Sequence, residues 1–286
     1  MDRSAPVDRR TLPPDIAALV DDVDAHDRGF FGPESVMWTV GRERALLMSG
    51  VSTILLQLAH PAVAAGVGEH STFEADPIGR FRRTFEHVHA LIFGDVTTAA
   101  ESALEIRARH AAVTGTLDDA AGSFSAGDRY AATDPALLRW VHATLIEQSM
   151  TAYETYVAPL SETERATYYR ECKRFGRLVG VPETAYPEAV TDFADYYERM
   201  CTETLAVGSR ARTLQRALFR QGRVLGPLYA TVGIGTLPAA VREAYGLPWS
   251  PRRQQLFDAW TALVRTAIPA LPPRLRYVAA YRRARA

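Results

Sequence analysis

The sequence predicts an all-α fold in a single multi-helix domain. Apolar residues recur at three- and four-residue spacing along most of the chain, which is the period of one helix face. Asn-Gly and Asp-Gly pairs, the strongest short signals for a β-hairpin, are absent. No internal repeat, low-complexity tract or long polar linker divides the 286 residues. With helices of ordinary length, these observations predict one domain of roughly eight to twelve helices.

The first elements lead into a long apolar segment. A short helix is predicted for residues 13–23, a turn for residues 29–33, and a second helix from about Glu34. Residues 45–68 contain no Asp, Glu, Lys or Arg and are long enough to cross a bilayer. Their hydroxyl and amide side chains and the His60-Pro61 step instead favour a buried central helix that ends near this proline.

Helix-capping patterns locate the later helices. Thr98 and Glu101 have the spacing of a capping box, for a helix that runs to Thr114 and stops at Gly115. Further helices are predicted to begin at Asp134-Pro135, at a Ser161 and Glu164 capping box whose helix ends near Gly180, and at about Pro187. The last well-formed helix is predicted for residues 254–266.

Charge and cysteine content exclude several functional classes. The 33 basic and 33 acidic residues give a formal net charge of 0, so bulk charge does not favour a nucleic-acid or anionic-membrane partner. Only Cys172 and Cys201 are present, which is too few for a disulfide framework or a multi-cysteine metal site. Residues 1–10 lack the apolar core of a secretory signal, so a cytoplasmic protein without a membrane span is expected.

The motifs of several large enzyme classes are also missing. The sequence has no GxxxxGK[ST] loop, GxGxxG turn, GxSxG elbow, HExxH pair or CxxCH haem attachment site. The main chemical resource is a set of seven histidines: His26, His60, His70, His87, His89, His110 and His142. Glu86 and His89 form one Glu-x-x-His, whereas a four-helix di-iron centre requires two such pairs and two further glutamates. A solvated helix face bearing Glu86, His87 and His89 is therefore the favoured interpretation.

Hydrogen-bond donors line one face of the helix predicted around residues 79–94. Arg80, Thr84 and His87 follow one another at i, i+4 and i+7, and Arg83 lies beside Arg80 at i+3. Such a face would suit haem propionates, another anion, or polarisation of a ligand on iron. The alternative is a basic surface strip that forms ordinary ion pairs, and spacing alone favours this alternative.

Two histidines occupy helix positions with apolar neighbours. His110 lies near the end of its helix among small residues, which leaves room for a flat macrocycle and for a neutral imidazole as an axial donor to iron. His142 shares a helix side with Leu138 and Leu145, and the same interpretation applies to it. The alternative for both is a core histidine bonded to a carbonyl, or for His110 a histidine favoured by the helix dipole. The residues alone favour that alternative.

Several segments together resemble a known family. They are QLAHPAVAAGV at 57–67, the Arg80, Arg83 and Thr84 helix, RARHAAVTG at 107–115, LLRWVHA following Asp134-Pro135, and LPPRLRY at 271–277. In order and spacing they resemble the DUF2236 group, or rubber oxygenase catalytic domain, which includes latex-clearing proteins and fungal MpaB-like oxygenases. The resemblance covers roughly residues 30–280, preceded by a 1–29 extension with a short helix and followed by a solvated tail at 281–286.

The resemblance implies a globin-like core that holds haem b (iron protoporphyrin IX) and an oxygen-dependent activity. It implies that His110 is the iron ligand and that Arg80 and Thr84 are polar residues of the haem pocket. Should His110 not be the ligand, His142 is the next cofactor-binding candidate on the residues alone. Arg83 stands where latex-clearing members carry a lysine. Because a guanidinium cannot lose its proton to coordinate iron, the distal side is expected to be open, occupied by water, or lined by an Arg83 that hydrogen-bonds to bound oxygen.

The leading functional hypothesis is a haem b-dependent oxygenase that uses dioxygen on a small apolar substrate, of which an isoprenoid is one example. Arg83, Arg80 and Thr84 are its catalytic candidates, since they would stabilise charge that develops on oxygen. An electron donor is a candidate partner, and the oligomeric state is left open. The alternatives are a non-catalytic haem-binding or gas-sensing protein and a helical protein that has lost the cofactor.

Overall fold

Helices account for most of the computed structural model, which describes residues 12–23, 28–222 and 226–285. The predicted all-α class is confirmed. Within these ranges there are fifteen α-helices, more than predicted because several are short. They are α1 (Pro14–Asp21), α2 (Val36–Gly41), α3 (Gly50–Leu58), α4 (Pro61–His70), α5 (Pro77–Phe93), α6 (Val96–Ala111), α7 (Pro135–Tyr156), α8 (Glu162–Leu178), α9 (Val190–Arg199), α10 (Ser209–Gly222), α11 (Gly226–Gly235), α12 (Ala239–Ala244), α13 (Pro251–Ala267), α14 (Pro273–Arg276) and α15 (Ala279–Ala284).

Shorter helical turns connect some of these helices. They are 3₁₀ turns at Arg44–Ser49, Glu183–Ala185 and Ile268–Ala270 and a π turn at Met200–Thr204. A small antiparallel hairpin, β1 (Thr114–Thr116) and β2 (Arg129–Ala131), was not predicted. Its strands are three residues each and are joined by the long connection 117–128, so no two-residue turn signals the pairing.

Two of the predicted caps are confirmed. The Asp134 carboxylate accepts hydrogen bonds from the amides of Ala136 and Leu137 at the start of α7. Ser161 and Glu164 form the reciprocal capping box of α8, which ends at Leu178 just before Gly180. Gly180 has a φ of 96°, a conformation that costs glycine little. Local side-chain chemistry therefore sets the boundaries of the two helices that form one side of the cavity described below.

The predicted start and stop of α6 are wrong. Asp95, rather than Thr98, is the N-cap, and its carboxylate accepts the amide of Thr98 at 2.7 Å. The earlier start buries Val96 in the core. At the other end α6 stops at Ala111, and Gly115 lies in β1 opposite Tyr130 instead of terminating the helix.

The apolar segment 45–68 is bent rather than straight. It consists of the 3₁₀ turn, α3 and α4, with the break at residues 59–60 as predicted and an angle of 105° across it. Leu55 and Leu56 on α3 are fully buried among the other helices. In the described ranges no single helix has the length and apolar character to cross a membrane, and only this bent pair meets both criteria when its two parts are taken together.

Both ends of the described chain join the core. Ile16 and Leu19 of α1 are buried in the same cluster as α3, α7 and α8. The segment expected as a solvated tail from residue 281 begins in the structure within α15, with Tyr281 buried and in edge contact with Trp38 and Phe93 at 5.8 Å each. His26 lies outside the described residues.

Candidate active site

A cavity of about 80 Å³, the central cavity, lies between α5, α7 and α8 and is bordered by α2, α3 and the 3₁₀ turn before α3. Its wall is mostly apolar. Its polar or titratable side chains come from Glu43, Ser49, Thr53, Thr84, His89, His142, Ser149, Tyr168 and Cys172. An apolar space with few polar groups can hold an apolar molecule and orient it through those groups.

The residues singled out by the sequence lie in three places. Thr84 and His142 line the central cavity from α5 and α7. Arg80 and His110 lie near each other where the start of α5 meets the end of α6. Arg83 is on the outer side of α5. The structure therefore brings together two pairs and leaves one predicted catalytic residue apart.

His142 is held on both sides by aromatic residues. Its Nδ1 lies 2.5 Å from the Tyr186 hydroxyl, and its ring stacks on Phe175 with centroids 5.2 Å apart and planes 11° from parallel. Burial lowers the pKa of His142 to about 3, so the imidazole is neutral near pH 7. A neutral imidazole with one nitrogen engaged has one nitrogen left for the cavity.

His89 is a cavity residue that the sequence analysis assigned to a solvated helix face. Glu86 and the Arg82 beside it are indeed exposed and pair at 3.8 Å, but His89 lines the central cavity. It lies between Phe85 and Phe93, with ring centroids 5.7 and 6.0 Å away, and burial and Arg283 lower its pKa to about 4. The sequence contains a signal for this position, because aromatic residues four before and four after His89 mark a helix face that points into the protein.

The predicted donor face of α5 looks toward α6. His87 lies 3.0 Å from the Ser102 hydroxyl of α6 through its Nδ1. Thr84, one turn before His87, donates its hydroxyl to the carbonyl of Arg80 at 3.0 Å. Arg80, two turns before His87, faces His110 closely enough for its positive charge to lower the pKa of that histidine. Burial lowers the pKa of His110 further, which favours the neutral ring.

Arg80 and His110 both lack hydrogen-bond partners. The His110 Nδ1 atom is buried and bonds to nothing in the described part of the chain. Across residues 12–23, 28–222 and 226–285 the Arg80 guanidinium forms no hydrogen bond or ion pair, and its nearest aromatic partner is Phe73, whose ring centroid is 5.7 Å away. A buried nitrogen without a partner costs about 1–3 kcal/mol, so His110 Nδ1 together with the unpaired Arg80 cation near its ring marks a candidate ligand site.

Arg83 has ordinary surface partners. It donates to the Thr72 hydroxyl at 3.1 Å and pairs with Asp76 at 3.5 Å, and its side chain is 44% exposed. Both partners belong to the segment just before α5 or to its N-cap. The alternative interpretation, a basic surface strip that forms ion pairs, thus describes Arg83, whereas it does not describe Arg80.

His60 offers a comparison with His110. It is buried at the break between α3 and α4, its Nδ1 also lacks a partner among the described residues, and burial lowers its pKa to about 4. Its ring packs edge-on against Phe124 at 4.9 Å. In the part of the chain that the structure describes, no three His, Cys, Asp or Glu side chains converge to hold a metal ion on their own.

Comparison with known proteins identifies the family of this chain. A family model described as the catalytic domain of the ER-bound oxygenase mpaB/B' and of rubber oxygenase matches residues 37–266, which is most of the chain. No curated protein and no solved structure gives a significant match. The match begins within α2 and ends within α13, so it includes all walls of the central cavity formed by α3, α5, α7 and α8, and also α6. The chain therefore belongs to the mpaB and rubber oxygenase catalytic-domain family, and the resemblance inferred from its sequence is confirmed.

Proposed function

We propose that this oxygenase-family domain depends on haem b and uses dioxygen to oxidise a small apolar substrate. The observation that carries the proposal is the pair of unpartnered groups on α5 and α6, the Arg80 guanidinium and the His110 imidazole. A cofactor that offers both a metal ion and carboxylates would satisfy both groups at once. The central cavity, which Thr84 lines, offers the apolar surface that an apolar molecule would contact.

The side chains present fit haem b. His110 is neutral, as a ligand to iron must be, and its Nδ1 has no competing partner among the described residues. Arg80 supplies a fixed cation of the kind that binds propionates. Thr84 lies one turn further along the same helix and reaches the cavity wall. We therefore assign His110 as the iron ligand, and Arg80 and Thr84 as residues that hold the cofactor.

Bound haem would supply the dioxygen and one-electron chemistry that no side chain can supply. The protein would hold the substrate in position, supply a charged side chain and keep water away from the cofactor. The apolar side chains around the central cavity would retain an apolar substrate, and Arg80, which lies outside that cavity near His110, would place a positive charge beside the cofactor. We assign this electrostatic role to Arg80 rather than to Arg83, because Arg83 is engaged with Thr72 and Asp76.

The substrate class follows from the wall of the central cavity. Most lining side chains are aliphatic or aromatic, such as Val88, Leu145, Ile146 and Phe175. The one carboxylate in the wall, Glu43, is neutralised by a bidentate pair with Arg276 and is only 1% exposed. No charged group in the described wall is thus left to bind an ionic substrate, and an alkene such as a short isoprenoid fits its chemistry.

An absorption spectrum tests the proposal. The full-length protein is titrated with haemin, and spectra are recorded in the oxidised and dithionite-reduced states. We expect a Soret band that saturates at one haem per chain, and resolved α and β bands of the b type on reduction. Consumption of dioxygen with an added short alkene then distinguishes an oxygenase from a haem carrier. Absence of any Soret change during the titration would overturn haem dependence.

A further inference from the structure

The contact between Tyr186 and His142 determines which nitrogen of this histidine carries the proton. Tyr186 follows the 3₁₀ turn Glu183–Ala185 and reaches His142 on α7 with an Oη to Nδ1 distance of 2.5 Å. Both side chains are buried. His142 belongs to the wall of the central cavity and Tyr186 does not, so Nδ1 is turned away from the cavity and Nε2 is turned to it.

The direction of this hydrogen bond follows from counting donors and acceptors. A tyrosine hydroxyl has one proton to donate, and among the described residues its only acceptor is His142 Nδ1. If Nδ1 instead donated to Tyr186, the hydroxyl proton would be buried without an acceptor, at a cost of about 1–3 kcal/mol. Burial also raises the pKa of Tyr186, which keeps its proton in place. The hydroxyl is therefore the donor, and Nδ1 is the acceptor.

We propose that Tyr186 fixes His142 as the neutral tautomer protonated at Nε2, so that the ring offers an N–H donor to the central cavity. The inference rests on the proposed function for its role: the donor would bind an oxygen atom, either of dioxygen or of an oxidised substrate. A ring nitrogen that carries a proton has no lone pair for iron. His142 is then a hydrogen-bond donor in the oxygenase cavity and not an iron ligand, and Tyr186 is its positioning residue.

Gly176 leaves the space that the contact between Tyr186 and His142 requires. A Cβ atom at position 176 would lie 1.8 Å from the Tyr186 hydroxyl and 3.0 Å from His142 Nδ1. Only glycine leaves room for the hydroxyl to sit against α8 and reach the imidazole. Phe175, the preceding residue, stacks on the other side of the His142 ring. The two residues together restrict both the position and the rotation of the imidazole.

Nitrogen NMR on the full-length chain, without added haem, tests the tautomer directly. Long-range ¹H–¹⁵N correlation spectra separate a protonated, pyrrole-type nitrogen from an unprotonated, pyridine-type nitrogen, and the spectrum of His142→Gln identifies the His142 signals. We expect a pyrrole-type Nε2 and a pyridine-type Nδ1. The reverse pattern would overturn the proposal. This result does not depend on haem binding, so the proposal and the proposed function can fail separately.

Two variants test whether Tyr186 is the cause. Tyr186→Phe removes the donor, and we expect a mixture of the two tautomers. Tyr245→Phe is the matched control, since it also removes a buried tyrosine hydroxyl, which donates to the Leu55 carbonyl at 2.9 Å, but it leaves Tyr186 and His142 untouched. An unchanged His142 spectrum in folded Tyr186→Phe would overturn the assignment to Tyr186. If that variant does not fold, Gly176→Ala, which displaces the hydroxyl, is measured in its place.

Haem titration provides the second readout. If His142 is a donor, His142→Gln retains an N–H group and should bind haem within about tenfold of the unchanged protein, as for an outer partner of a metal site. Loss of haem binding in a folded His142→Gln protein would show that the ring is a ligand and would overturn the proposal.

Discussion

His142 is a buried imidazole and His110 a half-buried one, and burial lowers the pKa of both, yet they differ in what surrounds them. His142 has an aromatic ring on its face and a hydroxyl on Nδ1, whereas His110 has an unpartnered Nδ1 and an unpartnered arginine nearby. At His142 the protein itself supplies the ring's contacts. At His110 a buried nitrogen is left without a partner, which lowers the stability of the fold. In the proposed function His110 is the residue that awaits a bound cofactor, whereas His142 is fixed by the protein itself before any molecule enters the cavity.

The largest expected effect is the loss of haem binding in His110→Ala. Removal of the ligand should weaken haem binding by more than the roughly 10–100-fold typical of an outer partner, and should abolish the saturable Soret band. Haemin titration followed by absorbance measures the change. Because the ring is half-buried and makes no hydrogen bond through Nδ1, its removal should leave the fold intact, which circular dichroism checks.

His60→Ala is the matched control for that experiment. His60 is buried and has the same unpartnered Nδ1, but it lies at the α3–α4 break beside Phe124. We expect it to retain haem binding. A haem complex that survives His110→Ala and disappears in His60→Ala would move the iron ligand to the break and would contradict the comparison of His110 with His142.

The next largest effect concerns the carboxylate of the cavity wall. Arg276 holds the buried Glu43 with two hydrogen bonds of 2.8 and 2.9 Å. Arg276→Met should lower the free energy of unfolding by about 3 kcal/mol, because it leaves a buried carboxylate with only a distant cation, Arg42 at 3.6 Å. Urea denaturation measures the loss. A double variant, Arg276→Met with Glu43→Gln, should recover part of it, and a loss below about 0.5 kcal/mol in the single variant would show that Glu43 is not dependent on this pair.

The pH dependence of stability sharpens the comparison further. The pKa of His142 is about 3 in the folded protein and near 6.5 in an unfolded chain. Below about pH 6.5 the unfolded chain therefore binds the extra proton, and stability is lost as the pH falls. Each such histidine contributes about 1.4 kcal/mol per pH unit, or about 2 kcal/mol between pH 6.5 and pH 5.

His142→Gln isolates this contribution. His60 and His89, both with a pKa of about 4, and the carboxylates titrate in both proteins, so the difference in slope belongs to His142. Urea denaturation of the haem-free proteins at several pH values gives the two slopes. We expect the shallower slope in the variant. Equal slopes would mean that His142 takes up its proton in the folded protein and is not held neutral.

Sequence reasoning predicted what depends on neighbours in the chain. Asp134 and Ser161 could be assigned as caps because each bonds an amide two or three residues away. Sequence reasoning failed at the start of α6, because Asp95 and Thr98 are both good N-cap residues and the burial of Val96 decides which of them caps the helix. It identified the family and named His110 and His142 individually. The partner of His142 lies 44 residues along the chain, and no local pattern indicates that Tyr186 meets it.

The smallest expected effect on stability is at Arg80. Its guanidinium has no hydrogen bond or ion pair among the described residues, and burial and the charge of Arg83 lower its pKa, so Arg80→Met removes an uncompensated charge. We expect the free energy of unfolding to change by less than about 0.5 kcal/mol or to rise. Haem binding should nevertheless weaken by about 10- to 150-fold, since a charge-assisted hydrogen bond to a propionate is worth about 1.5–3 kcal/mol.

Arg82→Met is the matched control for Arg80. Arg82 lies two residues further along α5, is 75% exposed and pairs only loosely with Glu86 at 3.8 Å. Such a pair contributes about 0–1 kcal/mol, and the side chain is mostly in solvent, so neither stability nor haem affinity should change much. If Arg80→Met binds haem as tightly as Arg82→Met does, the unpartnered guanidinium is not part of the haem site. The comparison of His110 with His142 would then depend on His110 alone, and the Arg80 guanidinium would need a different anionic ligand.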